Sequence, residues 1–139
     1  MIFLFYMFLF DIILVNDSQA SESFATRFQQ YHVQCKDITK VNDAQTSAVY
    51  SEDPVNVAAV GDYLFCLNKK VNIQNDVGDV NVESFKYVLP YFGMPKENID
   101  SAARECTVLR FPTPQRTAFE MRRCIQKYMV IQLPQGVNI

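Results

Sequence analysis

The chain of 139 residues has no tryptophan, one histidine and four glycines, and its four cysteines form no CxxC pair. Each shortage excludes something. With His32 the lone imidazole, a histidine-based zinc site or a His-activated nucleophile has little to build on. No GxSxG, HExxH, phosphate-binding loop or dinucleotide fingerprint occurs, so no enzyme activity, cofactor or metal is expected. Basic runs are also lacking. Beyond the first twenty residues, thirteen acidic side chains balance thirteen basic ones. That neutrality argues against nucleic acid or an anionic membrane surface as the main partner.

What is present suits a small globular domain. Hydrophobic residues make up 49% of the chain, too many for a disordered protein. The length allows one domain and not comfortably two. Residues 2–15, IFLFYMFLFDIILV, are apolar except for Asp11, and too short a run for a comfortable transmembrane helix. They lead to Ser18-Gln19-Ala20, with small residues where a signal peptidase needs them. Residues 1–20 are therefore read as a signal peptide, although no Lys or Arg precedes the apolar run. Residues 21–139 are the folded domain, secreted and free of membrane after cleavage. The glycosylation triplet Asn16-Asp17-Ser18 falls inside that leader. In an exported chain Cys35, Cys66, Cys106 and Cys124 are most simply two disulfides, in any of three pairings.

The periodicity is helical almost throughout. Phe24, Phe28, Tyr31, Cys35 and Ile38 fall on one stripe, and Val57, Val60, Leu64, Leu67 and Val71 repeat the rhythm. Asp53 and Pro54 open the second of these helices well. A short helix is expected over roughly 43–50, and a loop over 73–79. Asn81 opens a helix that carries Val82, Phe85, Val88, Leu89 and Phe92 on one side and stops at Gly93 and Pro95. Residues 96–110 form the next, with Ile99, Ala102, Ala103 and Cys106 inward. Pro112 and Pro114 break the chain, and 115–132 form the last, with Ala118, Met121, Ile125, Tyr128 and Met129 on its apolar face. The expected fold class is all-α, about six helices in one domain.

The cysteines carry a resemblance. Thirty residues lie between Cys35 and Cys66, 39 between Cys66 and Cys106, and 17 between Cys106 and Cys124. This spacing resembles the insect odorant-binding proteins, of the pheromone and general-odorant type, in their four-cysteine form. The six-cysteine pattern of that family would place its two missing cysteines at Asp62 and Gln115. The resemblance covers about residues 24–130 and implies bridges Cys35–Cys66 and Cys106–Cys124. It also implies that residues 62 and 115 lie close together.

The function it implies is a soluble secreted carrier of small hydrophobic molecules such as odorants or pheromones, in olfaction or elsewhere. Pockets of this kind hold about 300–1,000 Å³. By cysteine offset, the family's lining positions fall on Phe28, Leu64, Asn68, Val88, Ala103, Ala118, Met121 and Ile125, with Asn68 as a polar anchor. Phe85, Phe92, Phe111, Tyr128 and Met129 join them by helical phase. Stripes of this kind are equally the signature of plain core packing. His32 reads as a boundary residue and Asp62 as exposed helix surface. The oligomeric expectation is a monomer or weak homodimer. A secreted helical signalling protein without a small ligand is the alternative.

Overall fold

The computed structural model describes residues 23–46 and 53–129. The leader, its cleavage point and the tail from 130 onward lie outside the described residues. Among the described residues six α-helices follow in order: α1 (Phe24–Thr39), α2 (Asp43–Thr46), α3 (Pro54–Lys70), α4 (Val82–Val88), α5 (Ile99–Cys106) and α6 (Pro114–Met129). The described residues contain no strand, and only Gln74 and Val80 form an isolated bridge. None of the described helices is long and apolar enough to cross a membrane.

Local chemistry sets the helix ends. Ser23 Oγ accepts from the Thr26 amide at 3.2 Å, Asp53 from Val55 at 2.9 Å, and Asn81 from Ser84 at 3.0 Å. Each satisfies an amide that has no partner within its helix. Pro54 takes the first position of α3 as expected. Of the helix expected over 43–50, Asp43–Thr46 is present, and 47–52 lie outside the described residues. Other boundaries depart from the sequence reading. The helix opened by Asn81 tightens to a 3₁₀ turn at Leu89–Phe92, because Pro90 has no N–H to offer the preceding turn. Instead of one helix over 96–110, a 3₁₀ turn at Lys96–Asn98 leads into α5. There Thr107 Oγ1 bonds the Ala103 carbonyl at 2.5 Å. Pro114 does not break the chain: it opens α6, where a missing donor costs nothing.

Two side chains placed on inward faces point outward. Ile38 is 67% exposed and Val82 40%. Each lies in a terminal turn of its helix, where no second element covers it.

Two disulfides form, Cys35–Cys66 and Cys106–Cys124. The first ties α1 to α3 and the second α5 to α6. Each belongs to its own core. One core holds Cys35 with Val57, Val60, Tyr63, Leu64, Phe65, Leu67, Ala118 and Phe119. The other gathers Phe85, Val88, Leu89, Met94, Ala102 and Ala103 around Cys106 and Cys124, with Ile73, Met121 and Ile125. Helix α6 runs through both.

The crossing of α3 on α6 is close. A Cβ added at Gly61 would meet the Gln115 carbonyl oxygen at 2.9 Å. The contact at the missing-cysteine positions therefore runs through Gly61, while Asp62 beside it is exposed. Gly61→Ala should destabilise by about 1–2 kcal/mol despite alanine's better helix propensity, because a backbone carbonyl must move. Thermal melts of the two proteins check this. The loop after α3 is pinned to the same helix start. Buried Gln74 donates through Nε2 to the carbonyls of Gly78 and Pro114, and its Oε1 accepts from Asn68 Nδ2 at 2.8 Å.

Candidate ligand-binding site

Where the two cores meet, a small cavity of about 30 Å³ remains. Its walls come from α1, α3, the loop after α3, the 3₁₀ turn at Leu89–Phe92 and α6. Phe28 descends from α1, Leu64, Leu67 and Asn68 from α3, and Val71 and Ile73 from the loop. Phe92 comes from the 3₁₀ turn, and Ala118, Met121, Arg122 and Ile125 from α6. Leu64, Leu67 and Ala118 belong to one core and Ile73, Met121 and Ile125 to the other. The cavity is the seam between them.

Seven of the sequence-derived positions meet here: Phe28, Leu64, Asn68, Phe92, Ala118, Met121 and Ile125. Six do not. Phe85, Val88 and Ala103 are buried inside the core of the second disulfide, and Tyr128 and Met129 pack against it. The Tyr128 hydroxyl turns away and donates to Glu105. That bond and Lys127 hold the Glu105 carboxyl below its usual range, and the same bond raises the Tyr128 phenol. Phe111 is 38% exposed and lies under the Arg116 guanidinium at 6.0 Å. Leu67, Val71, Ile73 and Arg122 were missed as lining residues. The first two carried the α3 stripe and were legible as core; Arg122 had no such signal, since a charge on a helix normally faces water.

The polar groups of the cavity are unequal. The Asn68 side chain donates from Nδ2 to Gln74 Oε1, and its backbone carbonyl accepts from the Ile73 and Gln74 amides. Asn68 therefore serves to fix the loop. Arg122 stacks its guanidinium over Phe92 at 5.7 Å, which leaves a cation beside otherwise apolar walls. The volume also differs from expectation. Thirty cubic ångströms is about the room of one water molecule, far below a ligand pocket of about 300 Å³ or more. To take a ligand, the seam must widen.

His32 is a half-buried boundary residue, its Nδ1 hydrogen-bonded to the Tyr63 hydroxyl. Tyr63 is 4% exposed, and burial pushes its phenol up to about 12. The unfolded phenol ionises near pH 10. Above that the unfolded chain loses a proton that the folded chain keeps, so stability should fall between about pH 10 and 12. Tyr63→Phe should make that fall shallower in urea titrations across this range.

A profile of the PBP/GOBP family matches residues 17–128. The chain belongs to this family. Its insect relatives agree. The B1 protein of Tenebrio molitor is 27% identical over 125 residues, covering 84% of this chain and 88% of its own. The B2 protein of the same beetle is 25% identical over 116 residues, covering 84% and 90%. Among solved structures, "Fatty acid binding protein OBP56a from the oral disk of the blowfly Phormia regina" superposes with a TM-score of 0.56 at 20% identity. It covers 78% of this chain and 93% of its own. The all-α fold of an odorant-binding protein is shared with it. A PBP/GOBP member is a carrier of small hydrophobic ligands, and the two disulfides pair here as the family resemblance implied.

Proposed function

We propose that this odorant-binding-family protein is secreted and carries odorants, pheromones or similar apolar molecules within the seam between its two cores. The observation that carries this reading is the convergence of α1, α3, the loop after it, the 3₁₀ turn at Leu89–Phe92 and α6 on one largely apolar space. The walls belong to separate cores, each stapled by its own disulfide, so the seam can widen without either core coming apart. The blowfly neighbour is described as a fatty-acid binder, which fits a long apolar cargo. The protein acts in this reading as a monomer or weak homodimer. Asn68, Phe28, Leu64, Phe92, Ala118, Met121 and Ile125 are the contacts kept from the sequence reading, with Leu67, Val71, Ile73 and Arg122 added.

Displacement of N-phenyl-1-naphthylamine by apolar volatiles tests this. Binding is expected near micromolar, about −8 kcal/mol. Phe28→Asp should weaken the probe by at least about tenfold, because a charge must then be buried against it, while the helical circular-dichroism signal persists. Phe28 is half-buried and reaches the cavity from the first half of α1, so the charge can turn to water in the empty protein. Val88 is the wrong place for this test: it is buried in a core, and a charge there would report unfolding. A folded protein that binds no apolar probe would instead favour the signalling reading.

A further inference from the structure

Beside the seam, α1, the end of α3 and α4 enclose an open groove of about 730 Å³. Its volume lies within the range of small-molecule sites, which the 30 Å³ cavity does not reach. The floor is apolar, built from Phe24, Tyr31, Val71 and Val88, with Tyr87 on one wall. Arg27, Lys70 and Lys86 stand on the rim with one carboxylate, Glu83. Lys86 is paired to Asp100 at 3.2 Å. Arg27 and Lys70 have no ion pair among the described residues, whereas Lys36, Lys40, Lys69 and Lys127 all do. A groove with an apolar floor, and a rim on which Arg27 and Lys70 outnumber the carboxylate of Glu83, matches a chain with an anionic head.

We propose that this groove is a second ligand site, for a single-chain amphipathic anion. Its head group is held by Arg27 and Lys70, and its chain lies along Phe24, Tyr31, Val71 and Tyr87. The groove also adjoins the seam. Val71 lines both spaces, and the rings of Phe24, Phe28 and Phe92 follow one another at 6.0 and 5.0 Å from groove to cavity. The site stands on its own lining and charge, independent of what the seam binds.

The absence of tryptophan makes the test clean. Tyr87→Trp places a sole reporter in the groove, and Phe92→Trp in a separate protein places one at the seam. Each is titrated with 12-bromododecanoate and with its methyl ester as quenchers. The groove reporter should be quenched by the acid at lower concentration than by the ester. Adding Arg27→Gln and Lys70→Gln should weaken the acid about fivefold, the scale of two exposed ion pairs, and leave the ester unchanged. Raising salt to about 0.5 M should erase the preference for the acid. Equal quenching by acid and ester, no effect of the double substitution, or quenching of the seam reporter alone would each overturn the proposal. A silent seam reporter beside a responsive groove reporter would count against the seam as carrier site and leave the groove standing.

Discussion

Replacing Cys35 and Cys66 together by alanine should lower stability by about 4 kcal/mol. The bridge closes a loop with a sequence separation of 31 residues, and the chain-entropy cost of leaving that loop open is about this size. The second bridge, with a separation of 18, should be worth about 3 kcal/mol by the same reasoning. Small domains hold a net stability of about 5–15 kcal/mol, so either loss takes a large share. The two losses should differ in function as well as size. Cys35–Cys66 fixes α1, and with it Phe28, onto the helix that carries Leu64 and Leu67. Its removal should weaken probe binding in the fraction that stays folded. Removal of Cys106–Cys124 acts inside the other core, between α5, which does not reach the cavity, and α6. Urea unfolding and probe titration on both double variants separate these effects. Equal losses of binding per unit of lost stability would show that α1 is held by packing alone.

Phe119→Ala should cost about 3–5 kcal/mol, the usual range for emptying a fully buried phenylalanine site. Phe119 is 0% exposed in the core of the first disulfide. It also supports the charges above it. Arg116 and Arg123 each lie over its ring at 5.5 Å, and Glu120 binds both, at 2.6 and 3.5 Å. Truncation therefore removes a core side chain and the platform on which an ion network is ordered. Phe119→Leu, which keeps most of the volume, should cost no more than about 1.5 kcal/mol. A cost near 1 kcal/mol for the alanine variant would mean that the neighbouring helices collapse into the space. Because Ala118 lines the seam one residue away, that collapse would also appear as altered probe affinity.

Closure of the seam bears on the energetics of binding. An apolar ligand has to separate walls that already touch, so part of its transfer free energy, about 25 cal/mol per Å² buried, offsets lost wall contacts. Ligands long enough to cover Phe28, Phe92 and Met121 together should therefore bind better than compact ones of equal polarity. The groove has no such cost, since it is open already.

Much of this protein could be read from one line of letters. Six helices, their caps at Asp53 and Asn81, the loop before Asn81 and the exposed Asp62 follow from hydrophobic period and from which side chains can satisfy free amides. Cysteine spacing pointed to the family and through it to the pairing of the bridges. These features depend on residues a few positions apart or on a pattern shared by a whole family. Other features depend on what lies opposite a face, and there periodicity is silent. It gave Ile38 and Val82 the right helical phase and the wrong environment, because a stripe continues past the end of the element that covers it. Arg122 gave no signal for the same reason: Phe92, from another element, draws its guanidinium to the cavity edge, just as Gln74 folds back onto the Asn68 amide. Phe85, Val88 and Ala103 face inward as expected, but only the docking of α6 along both cores decides which inward residues pack solid and which border a space. That choice is made by helices meeting across the chain at distances of a few ångströms, as at Gly61 and Gln115, where one absent Cβ sets how near they come.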